Sequence, residues 1–204
     1  MNEGYLASLL MVLTMILLTT GWKEVFLRQV SPRVIGLFMV GWIALSPFSF
    51  PFAGSRISLV VPLLIAGAAG ALFRMEGLLD RLQVILSGTL CAILVYLYTE
   101  MTRMAPAAVL LSPELDKGLL LSLTMPLLQR EALRQLTALT IGLLFAHWLL
   151  SLPLLGTAKV LGGAGFQDRW WLVVCLTRLI SEAAWGLAVA GKRLASLVWK
   201  ERRE

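Results

Sequence analysis

Two oppositely charged residues, Arg178 and Glu182, lie four positions apart within the last apolar stretch of this 204-residue chain. Residues at positions i and i+4 share one face of an α-helix, so this spacing allows the guanidinium and the carboxylate to pair. His147 lies about midway along the preceding apolar stretch, and we expect it to turn toward the same space. These three residues could form a structural ion pair, a path for protons or substrate, or a contact with a partner protein.

No recognised catalytic signature accompanies these residues, since the chain contains no Walker A loop, no His-Glu-x-x-His motif and no Gly-x-Ser-x-Gly motif. It has a single histidine, and its two cysteines, Cys91 and Cys175, fall inside apolar stretches. The sequence therefore predicts no metal site, no cofactor and no disulfide framework. The glycine-rich residues 161–165 follow an apolar stretch instead of a strand, so we expect a flexible external loop there. We predict that the protein is not an enzyme.

The composition indicates which solvent surrounds the chain. Hydrophobic residues make up 58% of it and charged residues only 15%, and the mean hydropathy is +0.82. Several stretches of about 17 to 20 residues carry no charge, which is the length that crosses a hydrocarbon core of about 30 Å. A helix on the surface of a water-soluble protein needs a polar face, and these stretches have none. The sequence predicts an all-α, polytopic transmembrane bundle that forms one domain over residues 1–204.

We predict seven membrane spans, with six as the alternative. The predicted spans are residues 5–20, 34–50, 57–73, 82–99, 112–128, 133–154 and 170–190. The third span contains small residues at four-residue spacing, namely Ala66, Gly67, Gly70 and Ala71. Small residues on one face let a neighbouring helix approach closely, so we expect tight packing there.

The segment over residues 105–128 decides between seven spans and six. Its uncharged part, residues 118–128, would extend only about 16 Å as a helix, which is too short to cross alone. However, Ser112 is a preferred N-cap residue, and the proline after it suits the first helical position. The acids Glu114 and Asp116 would then lie near the positive end of the helix dipole, in the headgroup layer. A helix that starts at Ser112 is just long enough to span.

The distribution of positive charge favours seven spans. With seven, 12 of the 18 basic residues lie on the cytoplasmic side, 5 lie outside and Arg178 is buried in the bundle. With six spans the division is 10 inside against 7 outside. Because Lys and Arg accumulate in cytoplasmic loops, the larger asymmetry predicts an external N-terminus and a cytoplasmic C-terminus.

The densest positive charge is at the C-terminus, where residues 191–204 form a short basic cytoplasmic tail. Its basic residues are Lys192, Arg193, Lys200, Arg202 and Arg203. Such clusters beside a span bind anionic lipid headgroups, so the lipid bilayer is an expected partner. The net charge of +6 and the pI near 9.8 could also suggest nucleic acid. No basic face interleaved with aromatic residues accompanies the tail, so we expect no nucleic-acid partner.

Three short runs of sequence resemble a known family. The run Thr-Gly-Trp-Lys-Glu-Val-Phe-Leu-Arg at residues 20–28 is followed by Phe-Met-Val-Gly-Trp at residues 38–42. Pro-Leu-Leu at residues 126–128 stands before a charged turn. These runs are similar to those of the small multi-pass YphA-type membrane proteins of spore-forming Gram-positive bacteria. The resemblance implies a location in the bacterial cytoplasmic membrane, and it carries over no functional residues.

These observations lead to one main functional expectation and one alternative. Topology and helix packing account for most polar residues, which favours a non-catalytic membrane component that assembles with other membrane proteins. The family resemblance would connect such a component with sporulation. The alternative is a small transporter or channel that uses the polar cluster of His147, Arg178 and Glu182. A membrane-embedded enzyme is disfavoured because the loops are too short to hold a catalytic domain.

Overall fold

Helices make up most of the protein. The computed structural model describes residues 3–22, 30–52, 55–151 and 160–201. Within these ranges the α-helices are α1 (Tyr5–Leu17), α2 (Pro32–Leu45), α3 (Val60–Phe73), α4 (Leu78–Met104), α5 (Pro113–Leu128), α6 (Ala132–Ser151) and α7 (Ala164–Glu201). The predicted all-α class is confirmed. Residues 23–29, which carry part of the family resemblance, lie outside the described ranges.

A small sheet joins two of the connections between helices. Strand β1 (Ser49–Phe52) pairs antiparallel with β2 (Ser55–Ser58), and β2 pairs parallel with β3 (Val160–Leu161). The strand order is β1-β2-β3, so β1 and β3 are the edge strands. The sheet therefore ties the α2–α3 connection to the segment just before α7.

Prolines explain why this part of the chain is not helical. Pro47 and Pro51 cannot sit in a helix interior without losing a backbone hydrogen bond, and α2 ends at Leu45, just before them. Pro51 is accepted in a strand because β1 lies at the edge of the sheet. The predicted spans 34–50 and 57–73 are therefore too long at this end, and the sequence analysis missed the sheet.

Helix length separates the seven helices into two groups. Three of them, α4, α6 and the part of α7 over Ala164–Lys192, are long and apolar enough to cross a membrane. The other four are shorter: α5 contains 16 residues, and α1, α2 and α3 contain 13 or 14. A helix of that length extends only about 20 Å, against the roughly 30 Å of a typical hydrocarbon core.

The helices alternate in direction along the chain. Asp168, near the start of α7, caps the start of α1. Its carboxylate accepts the N–H groups of Gly4 and Ala7 at 2.7 and 2.6 Å. We call the end of the bundle at which α1 and α7 begin the upper end, and the opposite end the lower end. The helices α4 and α6 begin at the lower end, where Asp80 and Arg134 form a two-point ion pair at 3.1 Å. Helix α1 therefore begins at the upper end, and α7 ends beyond the lower end.

The closest contact between helices is made by two glycines, Gly88 on α4 and Gly142 on α6. A Cβ atom on Gly142 would lie 2.6 Å from the carbonyl oxygen of Gly88, and one on Gly88 would lie 2.8 Å from the carbonyl oxygen of Ala138. The two backbones are therefore in direct contact. On α3, where we predicted tight packing, Ala71 is buried and a Cβ on Gly67 would lie 4.0 Å from a Phe38 ring atom, whereas one on Gly70 would meet nothing within 4 Å.

Aromatic side chains fill the centre of the bundle between α2 and α7. Trp42, Trp170 and Trp171 are each 2% exposed, and their ring centroids are 4.9 to 5.5 Å apart. The Trp170 indole N–H donates to the hydroxyl of Thr140 on α6 at 3.2 Å. This aromatic cluster separates the polar groups of the upper end from those of the lower end.

Candidate functional site

The charged pair that the sequence singles out is brought together in the structure. Arg178 donates through Nη2 to the Glu182 carboxylate one turn further along α7. Its Nη1 donates to Gln135 Oε1 on α6 at 2.9 Å. The Arg178 side chain is 7% exposed, whereas that of Glu182 is 33% exposed. The guanidinium is thus the buried member of the pair, and the carboxylate reaches the surface of the bundle.

Gln135 extends this pair into a network that joins four helical elements. Its Nε2 donates to the carbonyl oxygen of Gln129 and to Ser181 Oγ, both at 2.7 Å. The Gln129 side chain in turn donates to Ser87 Oγ on α4 at 2.9 Å. We call this set the lower polar network, and its members are Ser87, Gln129, Gln135, Arg178, Ser181 and Glu182.

The sequence analysis missed the two glutamines of the lower polar network. Gln129 directly follows α5 and is 3% exposed, and Gln135 lies in the first turn of α6 and is 1% exposed. Because a glutamine side chain is uncharged, it does not stand out in an apolar sequence as a buried charge does. The available signal was position, because an amide one turn inside an apolar helix needs a partner when it is buried.

The lower polar network lies near the end of the bundle, whereas the sequence suggested the middle of the last span. Gln135 follows Arg134, whose ion pair with Asp80 marks the lower end. Glu182 lies one turn beyond Arg178, so it is close to this charged end of the bundle. The predicted last span, residues 170–190, is only part of α7, which runs from Ala164 to Glu201.

His147 does not belong to this network, which corrects the predicted cluster of three residues to a pair. Its Nε2 accepts the backbone N–H of Gly162 at 3.1 Å, and its ring lies 4.8 Å from the ring of Phe166. Along α6, His147 is 12 residues from Gln135, which corresponds to about 18 Å. The histidine therefore stabilises the entry to α7 at the upper end.

The glycine-rich residues 161–165, predicted as a flexible loop, are ordered by these contacts. They contain the end of β3, a turn and the start of α7. Gly162 has a φ of 73°, a left-handed conformation that favours glycine, and a Cβ there would lie 2.2 Å from a Val61 methyl group. The turn presents the Gly162 N–H to His147, so this glycine has a structural task.

A cavity of about 850 Å³ opens at the upper end beside His147. Its walls mix aromatic with polar groups, and it includes the side chains of Glu3, Trp42, Phe48, His147, Gln167 and Arg169. The floor is formed by Trp42, part of the aromatic cluster. The cavity does not include any member of the lower polar network.

The acidic residues at the start of α5 make more contacts within the protein than the sequence suggested. Ser112 caps the helix, since its Oγ accepts the Leu115 N–H at 3.3 Å. Glu114 forms ion pairs with Arg169 at 2.5 Å and with Lys117 at 3.0 Å. These contacts fasten the upper end of α5 to α7.

Asp116 was expected in the headgroup layer, but it is only 7% exposed. Its carboxylate accepts the Tyr98 hydroxyl at 2.8 Å and the N–H groups of Leu110 and Leu111 at 2.9 and 3.2 Å. The residue therefore holds the α4–α5 connection against the upper end of α4. Its predicted depth in the headgroup layer stays a prediction.

We expect Asp116→Leu to leave membrane insertion intact but to lower the melting temperature in detergent. The substitution leaves the Leu110 and Leu111 N–H groups and the Tyr98 hydroxyl without this acceptor, and losing these hydrogen bonds lowers stability. Glu76→Leu is the matched control, because it removes an exposed carboxylate at the lower end. Equal melting of the two variants would show that the Asp116 contacts contribute nothing to stability.

Comparison with protein families, curated proteins and solved structures finds no match to this chain. The fold and the polar groups therefore define its class in structural terms. It is an all-α protein with three helices that are long and apolar enough to cross a membrane.

Proposed function

We propose that the chain is an integral protein of the bacterial cytoplasmic membrane that crosses the bilayer seven times. In this proposal the upper end faces outward and the lower end faces the cytoplasm. The protein has no catalytic activity and acts as a component that assembles with other membrane proteins. The observation that carries the proposal is the band of exposed apolar side chains between the two charged ends of the bundle.

That apolar band runs over several helices. Leu37 on α2 is 74% exposed, and Leu86 and Leu97 on α4 are 66% and 57% exposed. In water such a surface would drive aggregation, whereas in lipid it is the solvated surface. Ionic contacts flank the band, with Asp80 and Arg134 at the lower end and the Glu114–Arg169 pair at the upper end. This arrangement supports a membrane location.

The short helices α1, α2 and α3 are compatible with the seven-span proposal because of the helices on which they pack. Helix α1 packs along α7, and α3 packs along α6, so each lies at the same depth as a helix of spanning length. A bundle with short apolar helices is accommodated when the bilayer thins around it or flanking side chains reach toward the headgroups. We therefore expect the bilayer to be thinner beside α1, α2 and α3 than beside α4.

The lower polar network supports a structural task for the charged pair. A small cavity of about 50 Å³ borders Arg178, and its other walls are apolar residues, threonine and cysteine. A water path would need more polar partners along its length. The network links α4, the end of α5, α6 and α7, so it fixes the relative orientation of these helices.

Membrane topology provides the first test of the proposal. In a background without Cys91 and Cys175, we expect an impermeant thiol reagent to label Asn2→Cys from outside intact cells. It should label Glu204→Cys only after permeabilisation. Arg103→Cys at the upper end and Arg74→Cys at the lower end are the matched internal controls. If positions 2 and 204 label from the same side, the seven-span proposal is replaced by six spans with both ends in the cytoplasm.

Assembly with other membrane proteins is tested by purification in mild detergent. We expect another membrane protein to remain bound at a fixed stoichiometry, with chemical cross-links on the exposed apolar band. Substitutions of Leu37 and Leu86 by Ala, which shorten that band, should weaken the association without lowering the melting temperature. A single species with the mass of this chain alone would contradict the assembly proposal.

The upper cavity favours a second candidate function, transport of a small solute. It is large enough for a ligand and carries ionisable side chains on its wall. The buried Trp42 lines this cavity, so transport past it would require the aromatic cluster to move. If His147→Ala or Glu182→Gln abolishes an ion-dependent uptake while melting is unchanged, transport replaces the structural proposal.

A further inference from the structure

Helix α7 continues far beyond the lower polar network. Residues 183–201, which we call the α7 extension, prolong the helix by about 28 Å past Glu182. The other helices that reach the lower end stop or begin near the Asp80–Arg134 ion pair. The extension therefore leaves the bundle as a single helix.

The first part of the α7 extension is apolar and exposed. Residues 183–191 carry no charge, and Trp185 and Leu187 are 68% and 75% exposed. These two positions are two residues apart in a helix, so they lie on nearly opposite faces. The segment is thus apolar all round, which is unfavourable in water and suited to the boundary between acyl chains and headgroups.

The second part of the α7 extension is basic in sequence. Its charged residues are Lys192, Arg193, Lys200 and Glu201, which give a net positive charge. A second copy packed on the extension in parallel would bring the same charge to the same place. Charge complementarity instead favours the negatively charged headgroups of anionic lipid.

We propose that the α7 extension is an anionic-lipid-binding element that lies along the cytoplasmic leaflet. Its apolar part enters the acyl boundary, and its basic part contacts phosphatidylglycerol-type headgroups. Both glycines of the extension, Gly186 and Gly191, face open space, since a Cβ at either position would meet nothing within 4 Å. The inference rests on the proposed membrane location.

Hydrogen–deuterium exchange of the full chain in lipid nanodiscs tests this inference. We expect the α7 extension to exchange at least about tenfold more slowly in discs that contain phosphatidylglycerol than in pure phosphatidylcholine, because each basic residue at an anionic surface adds about fivefold in binding. Salt at about 1 M, where the Debye length is about 3 Å, should remove most of the difference.

A pair of charge-reversal variants makes the test specific. Lys192→Glu with Arg193→Glu should abolish the dependence on anionic lipid. Arg56→Glu with Arg103→Glu, which changes the net charge equally but at the upper end, should leave it unchanged. Retention of the lipid dependence in the first variant would overturn the proposal.

Two further outcomes would also overturn it. Equal exchange of the α7 extension in neutral and anionic discs would show that headgroup charge does not contribute to its binding. Slow exchange in detergent micelles, accompanied by the mass of a dimer, would make a second copy the occupant of the extension. A chain that inserts with the expected topology while the extension exchanges freely overturns this inference alone. A chain that fails to insert overturns the proposed function with it.

Discussion

Gly142→Ala is expected to lower the stability of the folded protein by about 1–3 kcal/mol, the usual cost of adding a methyl group to a packed core. The new Cβ would lie 2.6 Å from the Gly88 carbonyl oxygen and 2.9 Å from the Cys91 Cβ atom. Both contacts involve groups that cannot turn aside, because one is backbone and the other is the first atom of a side chain. Relief therefore requires α4 and α6 to separate, which weakens the largest helix pair of the bundle.

Gly70→Ala is the matched control and should have the opposite sign. Gly70 is an exposed helical position on α3, and a Cβ there meets nothing within 4 Å. Alanine restricts the unfolded chain more than glycine does and gains about 0.5–1 kcal/mol in a helix interior. Thermal melting in detergent and the folded fraction by size exclusion measure both variants. If Gly142→Ala melts like Gly70→Ala, the two helix backbones are not in contact at this crossing.

These two glycines illustrate what sequence can predict about helix packing. Small residues at four-residue spacing occur at Gly67 and Ala71 on α3, and also at Gly88 and Ala92 on α4. The pattern states that a helix can be approached closely, but it does not say which helix approaches it. The partner is set by tertiary topology, which is not local in sequence, so the pattern did not single out the crossing of Gly88 and Gly142.

Helix identity was more predictable than helix length. The start of α5 follows from Ser112 and the proline after it, because capping is a local property of three or four residues. The ends of α2 and α3 at the sheet were missed, since the pairing between β2 and β3 joins residues about a hundred positions apart. Hydropathy extended the two spans into residues of the strands, namely Ser49 and Phe50 of β1 and Ile57 and Ser58 of β2.

The placement of His147 shows the same limit for the site. Apolar stretches give the order of residues along a helix, and this correctly paired Arg178 with Glu182, which are neighbours on one face. They do not fix the relative depth of two antiparallel helices. Because α6 runs from the lower to the upper end, its last turn carries His147 away from the pair and toward Gly162. The partner of Arg178 is instead Gln135, in the first turn of the same helix.

Glu182→Leu is expected to destabilise the protein by about 3–5 kcal/mol, because it leaves the buried Arg178 guanidinium without its carboxylate. Gln135 Oε1 would remain as an acceptor at 2.9 Å, but a neutral amide does not balance the charge. Arg178→Met should cost less, since the Glu182 side chain is already 33% exposed and can turn toward the headgroups. Glu182→Leu is thus expected to be less stable than Arg178→Met, because Arg178 is the more buried of the two residues.

The double variant Arg178→Met with Glu182→Leu separates a structural task from a functional one. It removes both charges, so it should be more stable than Glu182→Leu alone, and a double-mutant cycle from thermal melting gives the coupling energy between the two residues. Glu182→Gln completes the set, because it keeps the shape of the side chain and removes its charge. If Glu182→Gln leaves both the folded fraction and the melting temperature unchanged, the ion pair within α7 does not contribute to the stability of the bundle. Loss of an ion-dependent phenotype in that same variant would then assign the carboxylate to transport.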